Sequence, residues 1–262
     1  MEEFNPASEE AVVASSSAIS AESNPHSGKK KFRDYLSEGL MIFVAVVLGF
    51  LAENVRESVG NHEKEKEYIK SYLGNLVEDS SRLDEAIRNN SQKIVYLDSL
   101  MFLATKDFST PANRVNLYRY FYYAGLYWEF MNNDATFLQL TNSGGLRIIK
   151  KDHVADSIAE YAAALKIIYA VQEVYVQSIA STMDVGQQIF DFSVLCDTSY
   201  YKNQQFANRF IPLISDDHQK MKILFNKIFF QRQTSQSYVN NLTNLKFILS
   251  GLIQYLKNEY PE

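Results

Sequence analysis

The residue types able to carry catalysis or hold a metal are few in this chain and stand far apart. Its four histidines, His26, His62, His153 and His218, lie on separate segments. None is paired at the H-x-x-x-H spacing that sets two imidazoles on one helix face toward a zinc ion. A single cysteine, Cys196, excludes an internal disulfide and a Cys-pair metal site. Among apolar neighbours it reads as a small buried hydrophobe. Asp216-Asp217-His218 puts three ligand types in a row, but acidic residues ahead of an apolar-periodic stretch are the usual makings of a helix N-cap. Ser143-Gly144-Gly145 with Arg147 has the composition of an anion-binding nest, and equally of a turn closing a helix with Gly in the left-handed conformation. No G-x-S-x-G elbow, P-loop or dinucleotide fingerprint occurs. The expectation is a non-enzyme, with no catalytic residue, no metal and no cofactor.

The most distinctive constellation is aromatic. Residues Tyr118–Phe130 (YRYFYYAGLYWEF) spread aromatic side chains over most faces of the helix expected there. Tyr118, Tyr122, Tyr127 and Trp128 are candidates for an aromatic pocket or a partner interface. The alternative is an inner bundle helix whose Tyr hydroxyls reach the rim. Arg119 and Glu129 break the run, which argues against a membrane span there.

The elements that would position these residues are helical. Five Pro and ten Gly in 262 residues are too few for a strand-and-turn protein and favour long helices. A net charge of −5 supplies no basic surplus for phosphates, so nucleic acid is not an expected partner.

One segment is apolar enough for lipid. Gly39–Ala52 (GLMIFVAVVLGFLA) would rise about 21 Å as a helix, short of a hydrocarbon core of about 30 Å. Extending it to Tyr35–Val55 gives about 31 Å, with Glu38 and Glu53 each about one turn from an end. The nine side chains Leu40, Ile42, Phe43, Val44, Val46, Val47, Leu48, Phe50 and Leu51 contribute roughly −4 kcal/mol to insertion. Two carboxylates near the ends cost well below the roughly 3 kcal/mol of a central charge, so insertion wins. Phe50, at the −3 position of a cleavage site before Glu53, is too large for signal peptidase; the segment reads as an uncleaved signal anchor. Lys29, Lys30, Lys31 and Arg33 form a compact basic cluster before it, whereas Arg56, Lys64 and Lys66 are dispersed among glutamates after it. That asymmetry puts the N-terminus in the cytoplasm.

Residues 1–28 are rich in Ser, Ala and Glu without apolar periodicity, which predicts a disordered tail. After the span, Ile69, Leu73, Leu76, Leu83, Ile87, Ile94 and Leu97 recur at helical spacing with no Pro before Phe108, so the spanning helix is expected to continue into a stalk. Further helices are expected at 111–131, 135–141, from 151 to about 195, at 205–210 and at 216–258. A polar loop is expected at 196–204. The fold class that follows is all-α: one N-terminal transmembrane helix continuing into a stalk, then an irregular antiparallel helical bundle. Its organisation is a tail (1–34), a span (35–55) and an extracytoplasmic helical domain (56–262).

Two blocks carry a family resemblance. The first is Leu51–Glu57 (LAENVRE) running into Glu67–Asp79 (EYIKSYLGNLVED). The second is Thr136–Ile149 (TFLQLTNSGGLRII), followed by Ala159-Glu160-Tyr161. Over roughly Ser37–Leu165 the chain resembles an uncharacterised family of single-pass membrane proteins of Gram-negative bacteria. Many members carry Trp soon after the span, where this chain has Val55. The resemblance implies a bacterial inner-membrane protein with a periplasmic domain, and it brings no catalytic residue or ligand. The expected function is a membrane-anchored helical scaffold or interaction protein, touching membrane lipid and a protein partner or a second copy of itself. The alternative is a periplasmic ligand-sensing module acting through a partner.

Overall fold

The computed structural model describes residues 32–196 and 211–261, and all regular secondary structure among them is helical. The tail at 1–28, Lys29–Lys31, most of the 196–204 loop and the expected helix at 205–210 lie outside the described residues. Five α-helices are present: α1 (Phe32–Leu103), α2 (Pro111–Gly125), α3 (Ala135–Asn142), α4 (Val154–Gly186) and α5 (His218–Glu259). Short 3-10 turns stand at Gly145–Arg147 and Phe192–Cys196.

The chain divides into two compact units at Val55/Arg56. In the first, α1 residues Phe32–Val55 are exposed on every face, including all nine apolar side chains from Leu40 to Leu51 named above, and Arg33. α1 is the one described helix long and apolar enough to cross a membrane, by length and composition.

The second unit follows from side-chain register. Between α1 and α4 partner numbers rise together: Tyr161 with Asp79, Tyr175 with Asn90 and Lys93. These two helices run the same way. Between α1 and α5 they run oppositely: Tyr260 with Glu65, Lys246 with Asp84, Arg232 with Asp98. α5 also opposes α4, with Thr234 at Ser178 and Lys227 at Ser181. The segment 111–150 descends along α1: Tyr123 stacks on Tyr96, the Trp128 carbonyl meets Asn90, Asn133 meets Asp79, Thr136 meets Ser71 and Asn75, and Lys150 meets Glu65. The four arms therefore run up, down, up, down, and the second arm is broken.

Local sequence explains most boundaries. Thr110 accepts from the Asn113 N–H with Pro111 as first helical residue, and Asp217 accepts from Gln219 and Lys220 N–H groups. Gly144, at φ 71°, ends the α3 turn in the left-handed region. Leu76, Leu83 and Leu97 of α1 pack with Ile158 and Tyr161 of α4 and Leu242, Leu245 and Leu249 of α5, or against the aromatic end of the bundle. That end buries Tyr118, Phe121, Phe190, Leu224 and Ile228.

Three expectations are corrected. α1 beyond the span is not a free stalk: from Glu65 onward it is a core arm, with Ile69, Tyr72 and Leu76 buried. The helix expected at 111–131 ends at Gly125, and Leu126 turns to extended backbone. α4 ends at Gly186 rather than near Leu195, because the chain must double back there. A β-carbon on Gly186 would stand 2.1 Å from Cζ and 2.6 Å from Cε1 of the fully buried Phe121 ring. Since such a core cannot yield by that much, Gly186→Ala should lose at least about 2 kcal/mol of stability. Urea unfolding followed by circular dichroism measures it, and an unchanged midpoint would refute the packing described.

Candidate functional site

Buried polar side chains gather where the second arm loses its helix. Residues 126–134 are non-helical, so their backbone groups need partners other than the i→i−4 ladder. Three arms supply them. Asn90 Nδ2 donates to the Trp128 carbonyl at 2.8 Å as well as to that of Ala86. The Phe130 N–H reaches Gln172 Oε1 at 3.1 Å and Tyr238 Oη at 2.9 Å. Arg82 donates to the Met131 carbonyl at 3.1 Å, and the Asn133 N–H donates to Asp79 Oδ1 at 2.7 Å. Gln231 Nε2 donates to the Ala124 carbonyl at 2.7 Å, at the end of α2. Tyr169 Oη hydrogen-bonds the Asn132 side chain.

A second set of groups holds the first in place. Tyr175 Oη donates to Asn90 Oδ1 at 2.6 Å, and its ring stacks on Tyr238 with centroids 4.6 Å apart. Tyr161 Oη donates to Asp79 Oδ2 at 3.3 Å. Lys93, fully buried, has Nζ 3.3 Å from Tyr175 Oη and 4.8 Å from the centre of that ring. Burial drives the electrostatics. It lifts the Asp79 carboxyl to about 6, against hydrogen bonds from Asn133 and Tyr161 and the charge of Arg82. Burial alone brings the Lys93 ammonium down to about 7. It also pushes the Tyr161, Tyr175 and Tyr238 hydroxyls above their usual range, keeping them neutral donors. Glu65 differs: burial raises it, but hydrogen bonds from Tyr260, the Lys150 and Lys151 backbone and His62 outweigh that and hold it low.

Chemically this row is a set of clamps. The Lys93 amine is near neutrality, but with no exposed surface it meets no substrate. One cost remains visible: Gln231 Oε1 is buried with no partner among the described residues. The row is legible in hindsight. Ile69, Tyr72, Leu76, Asp79, Leu83, Ala86, Asn90, Lys93, Leu97 and Leu100 form an unbroken 3-4 spacing along α1, all buried. Polar residues at such inner positions are the signal that a purely apolar stripe passes over.

The four aromatic candidates separate. Tyr118 is core: its Oη donates to the Pro212 carbonyl at 2.7 Å and accepts from the Asp191 N–H at 2.8 Å. Tyr122 is exposed, edge-on to Tyr123. Tyr127 and Trp128 come together in the extended segment, lining a depression of about 570 Å³ with Arg82, Glu85, Ala86, Glu129, Met131 and Asn132. A second depression, of about 480 Å³ between α4 and α5, presents mostly aliphatic walls such as Ile167 and Val174.

The remaining motifs are used structurally. Asp216 pairs with the buried Arg114 at 3.1 Å while Asp217 caps α5. In the Ser143–Arg147 turn, the Arg147 N–H bonds the Gly144 carbonyl and Ser143 Oγ bonds that of Gln139. Among the described residues no group of three or more His, Cys, Asp or Glu side chains could hold a metal ion.

No protein family, curated protein or solved structure matches the chain.

The two buried ionisable groups give opposite pH slopes. Asp79 titrates at about 6 folded against 3.8 unfolded, so its contribution to stability is full below 3.8 and lost as pH rises through 6. Lys93 titrates at about 7 folded against 10.5 unfolded, so stability falls as pH drops from 10.5 to 7. At neutral pH both weaken the fold. Asp79→Asn keeps an acceptor for Asn133 without the charge, and should gain about 1–3 kcal/mol near pH 7.5 and nothing below pH 4. Lys93→Met should gain about 1–3 kcal/mol at pH 7, a gain that fades toward pH 10.5. Denaturant unfolding at a series of pH values tests both; a loss of stability at pH 7 in either variant would contradict the electrostatics given.

Proposed function

We propose that the chain is a single-pass membrane protein of the Gram-negative family its sequence resembles. The span is Tyr35–Val55, inserted in the inner membrane with the N-terminus in the cytoplasm and the helical bundle in the periplasm. The bundle acts as a scaffold or interaction module, binding a protein partner or a second copy, and not as an enzyme. The observation that carries the anchoring is the helical segment Phe32–Val55, whose apolar side chains are exposed on every face. An exposed apolar surface of that extent calls for lipid or another protein to cover it, and its length and composition suit lipid. The non-enzymatic reading is supported by what the buried polar groups do: each described clamp is committed to backbone or to another clamp.

Membranes from cells expressing the chain with a tag at each terminus test this directly. The protein should stay in the pellet through carbonate extraction. Protease added to spheroplasts should remove the C-terminal tag and spare the N-terminal one. Release by carbonate would overturn the anchor and make Leu40–Leu51 an interface between proteins. Digestion of the N-terminal tag with protection of the C-terminal one would reverse the orientation.

A further inference from the structure

We infer that the depression beside Tyr127 and Trp128 binds a small organic ammonium ion. Two aromatic residues adjacent in sequence enter the same hollow from backbone that is not helical. Aromatic faces attract cations through the negative face of the ring, Trp most strongly. The hollow also contains Glu85 and Glu129, and neither carboxylate has an ion pair or hydrogen bond among the described residues. The cation it does contain is already committed: Arg82 bonds Glu78 at 2.6 Å and the Met131 carbonyl at 3.1 Å. The hollow thus holds two unneutralised carboxylates, an aromatic pair and no free positive charge of its own.

Its walls are fixed before any ligand arrives. Trp128 and Phe130 are tied through their backbone to Asn90, Gln172 and Tyr238. Asn132 is tied through its side chain to Tyr169. Rigid walls reduce the ordering cost of binding, and each cation–aromatic contact contributes about 0.5–2 kcal/mol. The chemistry selects an ammonium group on a small apolar frame. A group with a phosphate close to the ammonium, as in a lipid headgroup, would be repelled by the same carboxylates. This inference holds whichever side of a membrane the bundle occupies.

Trp128 is the only tryptophan in the chain, so its fluorescence reports this hollow alone. The full-length protein in a maltoside detergent is titrated with choline chloride, with its neutral isostere 3,3-dimethylbutan-1-ol, and with glycerophosphocholine, all at constant ionic strength. Choline should give a saturable change, with the other two at least about tenfold weaker, a difference of about 1.4 kcal/mol. Glu85→Gln and Glu129→Gln, both on exposed side chains, should each weaken choline at least about threefold while leaving the melting curve in place. No saturable change with choline, an equal response to the neutral isostere, or unaltered affinity in both variants would overturn the proposal. Equal binding of glycerophosphocholine would overturn the assignment to a free ammonium ion.

Discussion

A stretch of extended backbone inside a helical bundle has to be hydrogen-bonded by side chains, and the second unit is organised around that constraint. In a helix each amide finds its acceptor four residues back; between Leu126 and Asp134 none does. Asn90, Asp79, Gln172, Tyr238, Arg82 and Gln231 reach in from the other three arms instead. Each sits at an inward position that a simple four-helix bundle would give to Leu or Ile. The broken arm and the polar core are therefore one feature seen from two sides.

This arrangement is expensive where charge is involved. Asp79 and Lys93 are both buried, and neither has a close counter-ion of its own depth. A neutral amide could replace the carboxylate and an aliphatic chain could replace the amine without disturbing the helix positions. The stacked pair Tyr175 and Tyr238 shows the more economical solution: large apolar rings fill the core, and each hydroxyl ends on a polar partner.

Much of the helical layout was legible in the sequence because its signals are local. Thr110-Pro111 and Asp217 announce helix starts, Gly144 announces a stop, and the spacing from Ile69 to Leu97 announces a buried face. The break at Gly125 was not, because an aromatic run with one glycine is compatible with a helix; what ends it is tertiary, the Met183 side chain 2.9 Å from where a β-carbon would stand and side-chain partners waiting beyond. For the same reason Tyr127 and Trp128 left Tyr118 and Tyr122, although all four lie within eleven residues. The clamp residues were missed because a polar residue on an apolar stripe carries no local mark of what it will bond.

The register of the arms also orders their assembly in time. α4 and α5 meet through pairs such as Ser181 with Lys227, 46 residues apart, whereas α1 meets α5 through pairs 134 to 195 residues apart. Closing the longer loops costs more chain entropy and slows the search. The α4–α5 hairpin is thus the natural nucleus, and α1 completes the core last, a sequence that pulse-labelled hydrogen exchange would record as early protection of α4 and α5. Until then the inner face of α1, with Asp79, Asn90 and Lys93 still hydrated, is an incomplete surface rather than a sticky one. Polar residues that weaken the finished fold keep the unfinished one soluble.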